Sequence, residues 1–402
     1  MLIHIIIGII SVILVIYIIQ HDERMTGILL LAFALRLFLM AADLGHWFPI
    51  LNSGADTEMF DAMARRSLRS LNSSVQIGGY PRFLSLIYSV SGSSRLLAQF
   101  INVLFGMGIL FILVKIFRLL DIPMPKQKIA LCAVAFLPNM AIFSGILLRE
   151  AWVEFFVALS AFQFILWYIK GKQSNMIMCI LSVLAASYMH SGVIGLLGGY
   201  IVGFLAYDPR VRAVQFTLKT ILIIVVLGIL FLVFAGNSAV FLGKFQTFDP
   251  GSSNEFLKYA NKIGTGSSGY LTWLPPTSNP IIGLLVAPLR MFYFLFAPLP
   301  TEWHRVSDVI GFVIDGSIYM WMCWFILKKC APVEYVYLKK FLVASFLTAA
   351  FIFGYGTSNA GTAFRHRAKL MPVIAMTFAL SQMRENEEDE SDSETCDINT
   401  KE

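Results

Sequence analysis

Eleven long apolar stretches divide this chain from its second residue almost to its C-terminus, at 2–20, 26–42, 94–117, 129–148, 150–169, 175–206, 214–235, 281–299, 307–327, 339–355 and 370–383. A helix of about 20 apolar residues crosses the hydrocarbon core of a bilayer. Backbone polar groups must be satisfied internally there, so the stretches are expected to be helices. No alternating pattern suggests a membrane barrel. Hydrophobic residues make up 57% of the chain and charged residues 14%, where a soluble domain carries about 25% charged residues. The expected fold is therefore an all-α polytopic membrane protein. It has about 11 transmembrane helices, with interfacial helices in its outer loops. Residues 1–383 are expected to form one transmembrane unit. Residues 2–20 lack a basic start and a small-residue cleavage site, so they read as a retained helix.

The net charge of +6 conceals an asymmetry. The tail 384–402 holds nine acidic and two basic residues, leaving +13 on the rest. The tail cannot build a core and reads as a disordered cytoplasmic segment. The excess of cations suits anionic lipids or anionic substrates. Nucleic acid is not an expected partner, because the cations are dispersed among apolar segments. The five cysteines have no metal or redox spacing and read as small buried hydrophobes.

Orientation follows from the short loops. Lys115, Arg118, Lys126 and Lys128 surround one turn, Lys170 and Lys172 follow another helix, and Lys328, Lys329, Lys339 and Lys340 bracket a third. Placing these in the cytoplasm puts 43–93, 356–369 and the N-terminus outside. Segment 175–206 is too long for one span and is interrupted at Tyr188–Gly192. As two helices it puts Arg210 and Arg212 inside and loop 236–280 outside, with 281–299 re-entrant. As one, that loop is cytoplasmic. The first arrangement obeys the charge rule better.

Four constellations carry chemistry. Residues 54–66 (Gly-Ala-Asp-Thr-Glu-Met-Phe-Asp-Ala-Met-Ala-Arg-Arg) predict a short interfacial helix with Asp56 where it begins. Asp56 reads either as the helix cap or as a general base that takes a proton from an acceptor hydroxyl. Gly78-Gly79-Tyr80-Pro81-Arg82 predicts a turn and a helix start, with Arg82 available to an anionic group. Arg149-Glu150 lies at a tight turn between two helices and reads as solvated or functional. Arg36, about ten residues into its helix, snorkels or has a buried partner. Finally, Gly356–Lys369 offers a Gly-rich loop followed by Arg365, His366, Arg367 and Lys369. Arg grips phosphate bidentately and Lys as a point charge, so a phosphate or pyrophosphate ligand is the natural match. His190 and His304 are isolated and read as structural. No zinc spacing, Walker loop or dinucleotide fingerprint is present.

These features resemble the GT-C superfamily of membrane glycosyltransferases, in particular bacterial relatives of the protein mannosyltransferases. The resemblance rests on Gly54, Asp56, Phe60 (a Tyr in the family pattern) and Ala64. It continues through Tyr80-Pro81, Gly92-Ser93-Ser94, Asn102–Gly106, Pro138 and Arg149-Glu150. It covers roughly residues 27–170. It implies a polyprenyl-phosphate-linked sugar donor and an inverting transfer at the outer face of the cytoplasmic membrane, with Asp56 as the base. The helix at 2–20 is additional to the family pattern, and Glu58, Asp61 and Glu150 all remain candidates for a second acidic site. The implied partners are the lipid-linked donor, a glycan or lipid-linked acceptor and the bilayer. Substrate contacts fall to Arg82, Arg149, Glu150, Arg365, His366, Arg367 and Lys369. A divalent cation could assist, but no metal ligand set is legible. The chain also resembles capsule or O-antigen repeat-unit polymerases, which use a pyrophosphate-linked oligosaccharide. A lipid-linked-sugar flippase is the reading from a different class, and it would call for repeats that the sequence does not show.

Overall fold

The computed structural model describes residues 2–21, 23–50, 53–69, 78–215, a few positions between 217 and 225, 269–271, 280–303, 306–357 and 359–383. The span expected at 214–235, His304, most of loop 236–280 and the acidic tail 384–402 lie outside these residues.

The regular structure of the described residues is helical apart from a two-residue antiparallel pairing of Tyr207–Asp208 with Ala213–Val214 and an isolated bridge between Gly269 and Asn359. Among the described residues, six helical segments are long and apolar enough to cross a membrane, or seven if one bent pair counts as a span. The first half comprises α1 (Leu2–His21), α2 (Thr26–Gly45), α3 (Ala55–Arg69), α4 (Gly79–Ser91), α5 (Arg95–Leu119), α6 (Met124–Phe136), α7 (Pro138–Gly145), α8 (Glu150–Lys170), α9 (Gln173–Met189) and α10 (Leu197–Ala206). The second comprises α11 (Pro280–Phe296), α12 (Val306–Gly311), α13 (Ser317–Lys328), α14 (Val336–Tyr355), α15 (Ala360–Ala368) and α16 (Met371–Leu380).

Helix α5 forms the centre, packed against α2, α7 and α8. Its apolar stretch is 67% buried, while that of α1 is only 6% buried. A helix with apolar residues all round and almost none of them covered needs an apolar solvent, which is the position of a peripheral helix in lipid. Helix α16 is the opposite case. All ten of its residues are buried, so its hydrophobicity serves the protein core.

Close approach of helices in lipid relies on small residues, because no hydrophobic force drives helices together there. At Gly199 in α10 a Cβ would strike the backbone of Phe341 and Ser345 on α14. At Gly106 in α5 it would strike Ser144 of α7 and the Arg36 guanidinium. Arg36 accordingly does not snorkel. It is 1% exposed and donates from Nη1 to the carbonyls of Ala32 at 3.1 Å and Ala135 at 3.0 Å.

Two sequence expectations need correction, the single span at 129–148 and the open loop at 356–369. The single span at 129–148 is two helices, α6 and α7, bent by 51°. Pro138 opens the second, where its missing N–H and its effect on the preceding residue break the helix. Segment 175–206, by contrast, is divided as the favoured arrangement has it, into two helices parted at His190 (φ −152°, ψ 102°) and joined by a 3₁₀ turn over Ser191–Leu196. Residues 360–368, expected within an open loop, form α15, capped by Asn359, whose Oδ1 accepts from the N–H groups of Gly361 and Thr362. Of the cysteines, Cys179 is buried and Cys132 and Cys323 are half-buried, but Cys330 is exposed at the end of α13.

Alternate helix ends now meet. The C-terminal ends of α2, α7 and α9 gather with the N-terminal ends of α5 and α8. The lysine-bearing turns collect at the other end, where Tyr168 at the close of α8 donates to the Glu334 carbonyl at 2.8 Å and Lys126 reaches Gln382 at 3.5 Å.

Candidate functional site

At the first of these ends, residues from three distant parts of the chain share charge. The predicted interfacial helix is present as α3. It begins at Ala55, and Thr57 rather than Asp56 bonds the Gly54 N–H, at 3.0 Å. Asp56 is therefore not the cap. Its carboxylate is ion-paired with Arg365 of α15, 309 positions away, and remains 37% exposed. The other arm of the Arg365 guanidinium donates to Glu150 Oε1 at 3.0 Å. The same oxygen meets Lys369 Nζ at 3.3 Å.

Glu150 and Lys369 are fully buried, whereas Arg365 keeps 17% of its side chain exposed. Lys369 is further held by the Arg365 carbonyl at 3.0 Å and His366 Nδ1 at 3.3 Å. Burial pushes the Lys369 ammonium well below the usual lysine range, against the pull of Glu150. Burial also opposes charge on Arg365, but Glu150 and Asp56 more than restore it, so its guanidinium holds its proton more firmly than usual. Behind the group the His190 and His366 rings meet edge to face, 4.5 Å apart. His190 is thus a buried packing residue beside the site.

Arg149 caps α8 and enters the same region. Its Nη1 donates to the Met189 carbonyl at 3.2 Å, and its guanidinium lies 5.8 Å from the centre of the Phe60 ring, a cation–π contact. Phe60, where the family pattern has Tyr, packs on Tyr80 at 5.3 Å. Asn102 ties the floor together by donating to the carbonyls of Ile146 and Leu148, both at 2.8 Å, and to Tyr80 at 3.2 Å. These bonds hold the α7–α8 turn in the shape that presents Arg149 and Glu150.

The remaining acidic candidates separate by geometry. Glu58 pairs with Arg95 at 2.5 Å. Asp61 pairs with Arg65 at 2.9 Å and accepts from Tyr88 at 2.5 Å, and burial and that bond push the Tyr88 phenol up. Among the described residues, Glu150 is the carboxylate that shares a cation with Asp56.

Two expected contact residues lie elsewhere. Arg82 is exposed on α4, and no bond among the described residues joins it to the group. Arg367 is fully buried and faces the opposite way. It is ion-paired with Asp315 and donates to the carbonyls of Leu295 at 3.2 Å and Ala297 at 2.6 Å. Asp315 sits on a π turn over Phe312–Gly316 and accepts from Asn139 at 2.6 Å. Arg367 therefore joins α7, α11 and α13. The four clustered cations of the sequence divide because helical spacing turns 365 and 369 to one face and 367 to the other. Removing one partner of a buried pair leaves an uncompensated charge. Asp315→Ala is thus expected to destabilise the purified protein by about 3–5 kcal/mol, read as a lowered unfolding midpoint in detergent. An unchanged midpoint would mean that the pair carries no load.

Sequence reading missed three charged groups. Asp43, at the end of α2, accepts from Ser53, from Arg95 at 3.1 Å and from Gln99 at 2.6 Å, which braces α2 against α5. Glu154, one turn below Glu150, is fully buried, and neither carboxylate oxygen has a partner among the described residues. Arg290 on α11 is the third. A charge inside an apolar stretch was the available signal for Glu154 and Arg290.

Among the described residues, no group of three or more His, Cys, Asp or Glu has a metal-holding arrangement. Separately, α11, α13, α14 and α16 enclose an open cavity of about 290 Å³, lined by apolar side chains that include Met291, Phe296, Ile326, Phe346 and Ile374. No protein-family model, curated protein or solved structure matches this chain.

Proposed function

We propose that the chain transfers a sugar from a polyprenyl-phosphate-linked donor to an acceptor hydroxyl at the outer face of a cytoplasmic membrane. The observation that carries this reading is the meeting of Asp56 with Arg365 and Glu150. An exposed carboxylate and a set of cations suited to phosphate stand side by side at one end of a bundle of apolar helices.

Asp56 accepts the proton of the acceptor hydroxyl as that oxygen attacks the anomeric carbon. The bond from that carbon to the phosphate oxygen breaks, and the electron pair leaves with the phosphate. Arg365 and Arg149 stabilise the charge gathering there, with Lys369 behind them. Fixed cations act most strongly away from water, and here Glu150 and Lys369 are fully buried behind Arg365. Glu150 orients Arg365 and Lys369. The apolar cavity between α11, α13, α14 and α16 is suited to an isoprenoid chain.

Eleven spans follow from the seven long or bent spans, together with Gln173–Met189, Ser191–Ala206, Met371–Leu380 and the stretch 214–235, if Pro280–Phe296 re-enters. The lysine-bearing turns at the opposite end support that orientation.

The test compares lipid-linked saccharides in cells expressing wild type, Asp56→Asn or Arg365→Ala, once insertion of each protein is established. Both variants are expected to accumulate an unextended lipid-linked donor. A single-sugar donor identifies a transferase, whereas a repeat-unit oligosaccharide on pyrophosphate identifies a polymerase. Unchanged pools in both variants would overturn the reading and favour transport.

A further inference from the structure

Of the buried carboxylates among the described residues, Glu154 is the one with both oxygens buried and unbonded. Asp43 accepts from Arg95 and Gln99, Asp315 from Asn139, and Glu150 from Arg365 and Lys369. The reaction proposed above gives Glu154 no part. A carboxyl group inside an apolar helix is costly without hydrogen bonds, and in membrane bundles such groups tend to exchange protons.

Its surroundings show with what. Glu154 lies one turn along α8 from Glu150 and on the same face. The charges that act on it are Lys369, Glu150 and, from α2, the buried guanidinium of Arg36. The phenol of Tyr319 on α13 feels it in turn. Lys369 is acted on by Glu150, Arg149, Arg365 and Glu154. The lysine spends its N–H groups on Glu150 Oε1 at 3.3 Å, the Arg365 carbonyl at 3.0 Å and His366 Nδ1 at 3.3 Å. None is left for Glu154, so the two groups meet through charge and not through a hydrogen bond. A buried lysine and carboxyl coupled in this way titrate together, and their protons belong to the pair.

We propose that Glu154 and Lys369 form a proton-binding pair, which holds one proton between them in the resting protein and takes up a second when an anion engages Arg365. The inference rests on the reading of Arg365 as the cation that receives the donor phosphate. In the resting protein Arg365 and Lys369 share Glu150. An anion that draws the guanidinium away leaves Glu150 to Lys369 alone and adds negative charge nearby. Both changes favour protons on the pair. The proton comes from water at the rim of the site, where Asp56 is 37% exposed. It offsets the single charge of a phosphate diester. Lys369 is then an ammonium behind the departing phosphate while Glu154 is neutral.

The test is titration calorimetry of the full chain in detergent with farnesyl methyl phosphate, in buffers of different ionisation enthalpy. That diester does not itself titrate near neutrality. Wild type is expected to take up about one proton per anion bound, so its affinity falls by about tenfold for each unit of rising pH. Glu154→Gln is expected to bind with little uptake, and His366→Gln to keep it. A second readout needs no ligand. The side-chain nitrogen resonance of Lys369, assigned with Lys369→Arg in protein carrying isotopically labelled lysine, is expected to lose its ammonium form at lower pH in Glu154→Gln than in wild type, because an ionised neighbour no longer favours the charged lysine. Binding by wild type without proton uptake overturns the proposal, whether or not the variants fold. Equal uptake in Glu154→Gln overturns it too, as does loss of uptake in His366→Gln alone. Absence of any binding by wild type refutes the phosphate reading of Arg365 and the anion-driven step with it. A Lys369 resonance unmoved by Glu154→Gln removes the pair itself.

Discussion

Asp56→Asn is expected to lower the rate of sugar transfer by roughly 10²–10⁴-fold, the usual contribution of a positioned general base, while the protein stays folded and inserted. The amide keeps the shape of the carboxylate and one acceptor oxygen, so α3 retains its seat. It cannot take up the proton of an attacking hydroxyl. The position is also tolerant of change, because Asp56 is 37% exposed and, among the described residues, its ion pair is with Arg365 alone. The measurement is single-turnover transfer by purified protein with a saturating lipid-linked donor. A loss confined to donor affinity, with the chemical step unchanged, would assign Asp56 to binding and remove it as the base.

The second large effect is expected at Arg365. Arg365→Gln removes the cation shared by Asp56 and Glu150 and should slow transfer by roughly 10²–10³-fold, comparable to the loss of one oxyanion donor. Folding is expected to survive, because Lys369 still faces Glu150 at 3.3 Å. Lys at position 365 would restore charge but not the two-armed grip that spans both carboxylates, so Arg365→Lys should recover only part of the rate. If Asp56 and Arg365 act as one unit, the double variant falls well short of the product of the two single losses. Independent, multiplying losses would separate the pair functionally.

Much of this arrangement was legible in one dimension. Apolar length marked the helices, and the spacing of Asp56, Phe60 and Ala64 predicted α3. The interruption at Tyr188–Gly192 was legible too, whereas the break at Pro138 is where local chemistry overrode a continuous apolar run. Pairing was harder to read. The sequence clustered Arg365, His366, Arg367 and Lys369, but the packing of α15 decides which of them face Glu150 and which faces Asp315. Glu58, Asp61 and Glu150 were equivalent as letters, and their roles diverge because Arg95, Arg65 and Arg365 arrive from different helices.

The Asp56–Arg365 pair has a kinetic consequence. While the guanidinium occupies that carboxylate, an incoming hydroxyl, water included, finds the base engaged. Under the proposed sugar transfer, a donor phosphate would compete for the same guanidinium and release the base as it binds. Turnover would then be compulsorily ordered, with donor before acceptor. Futile donor hydrolysis would then be limited by how well the acceptor displaces water, since binding of the donor frees the base for either.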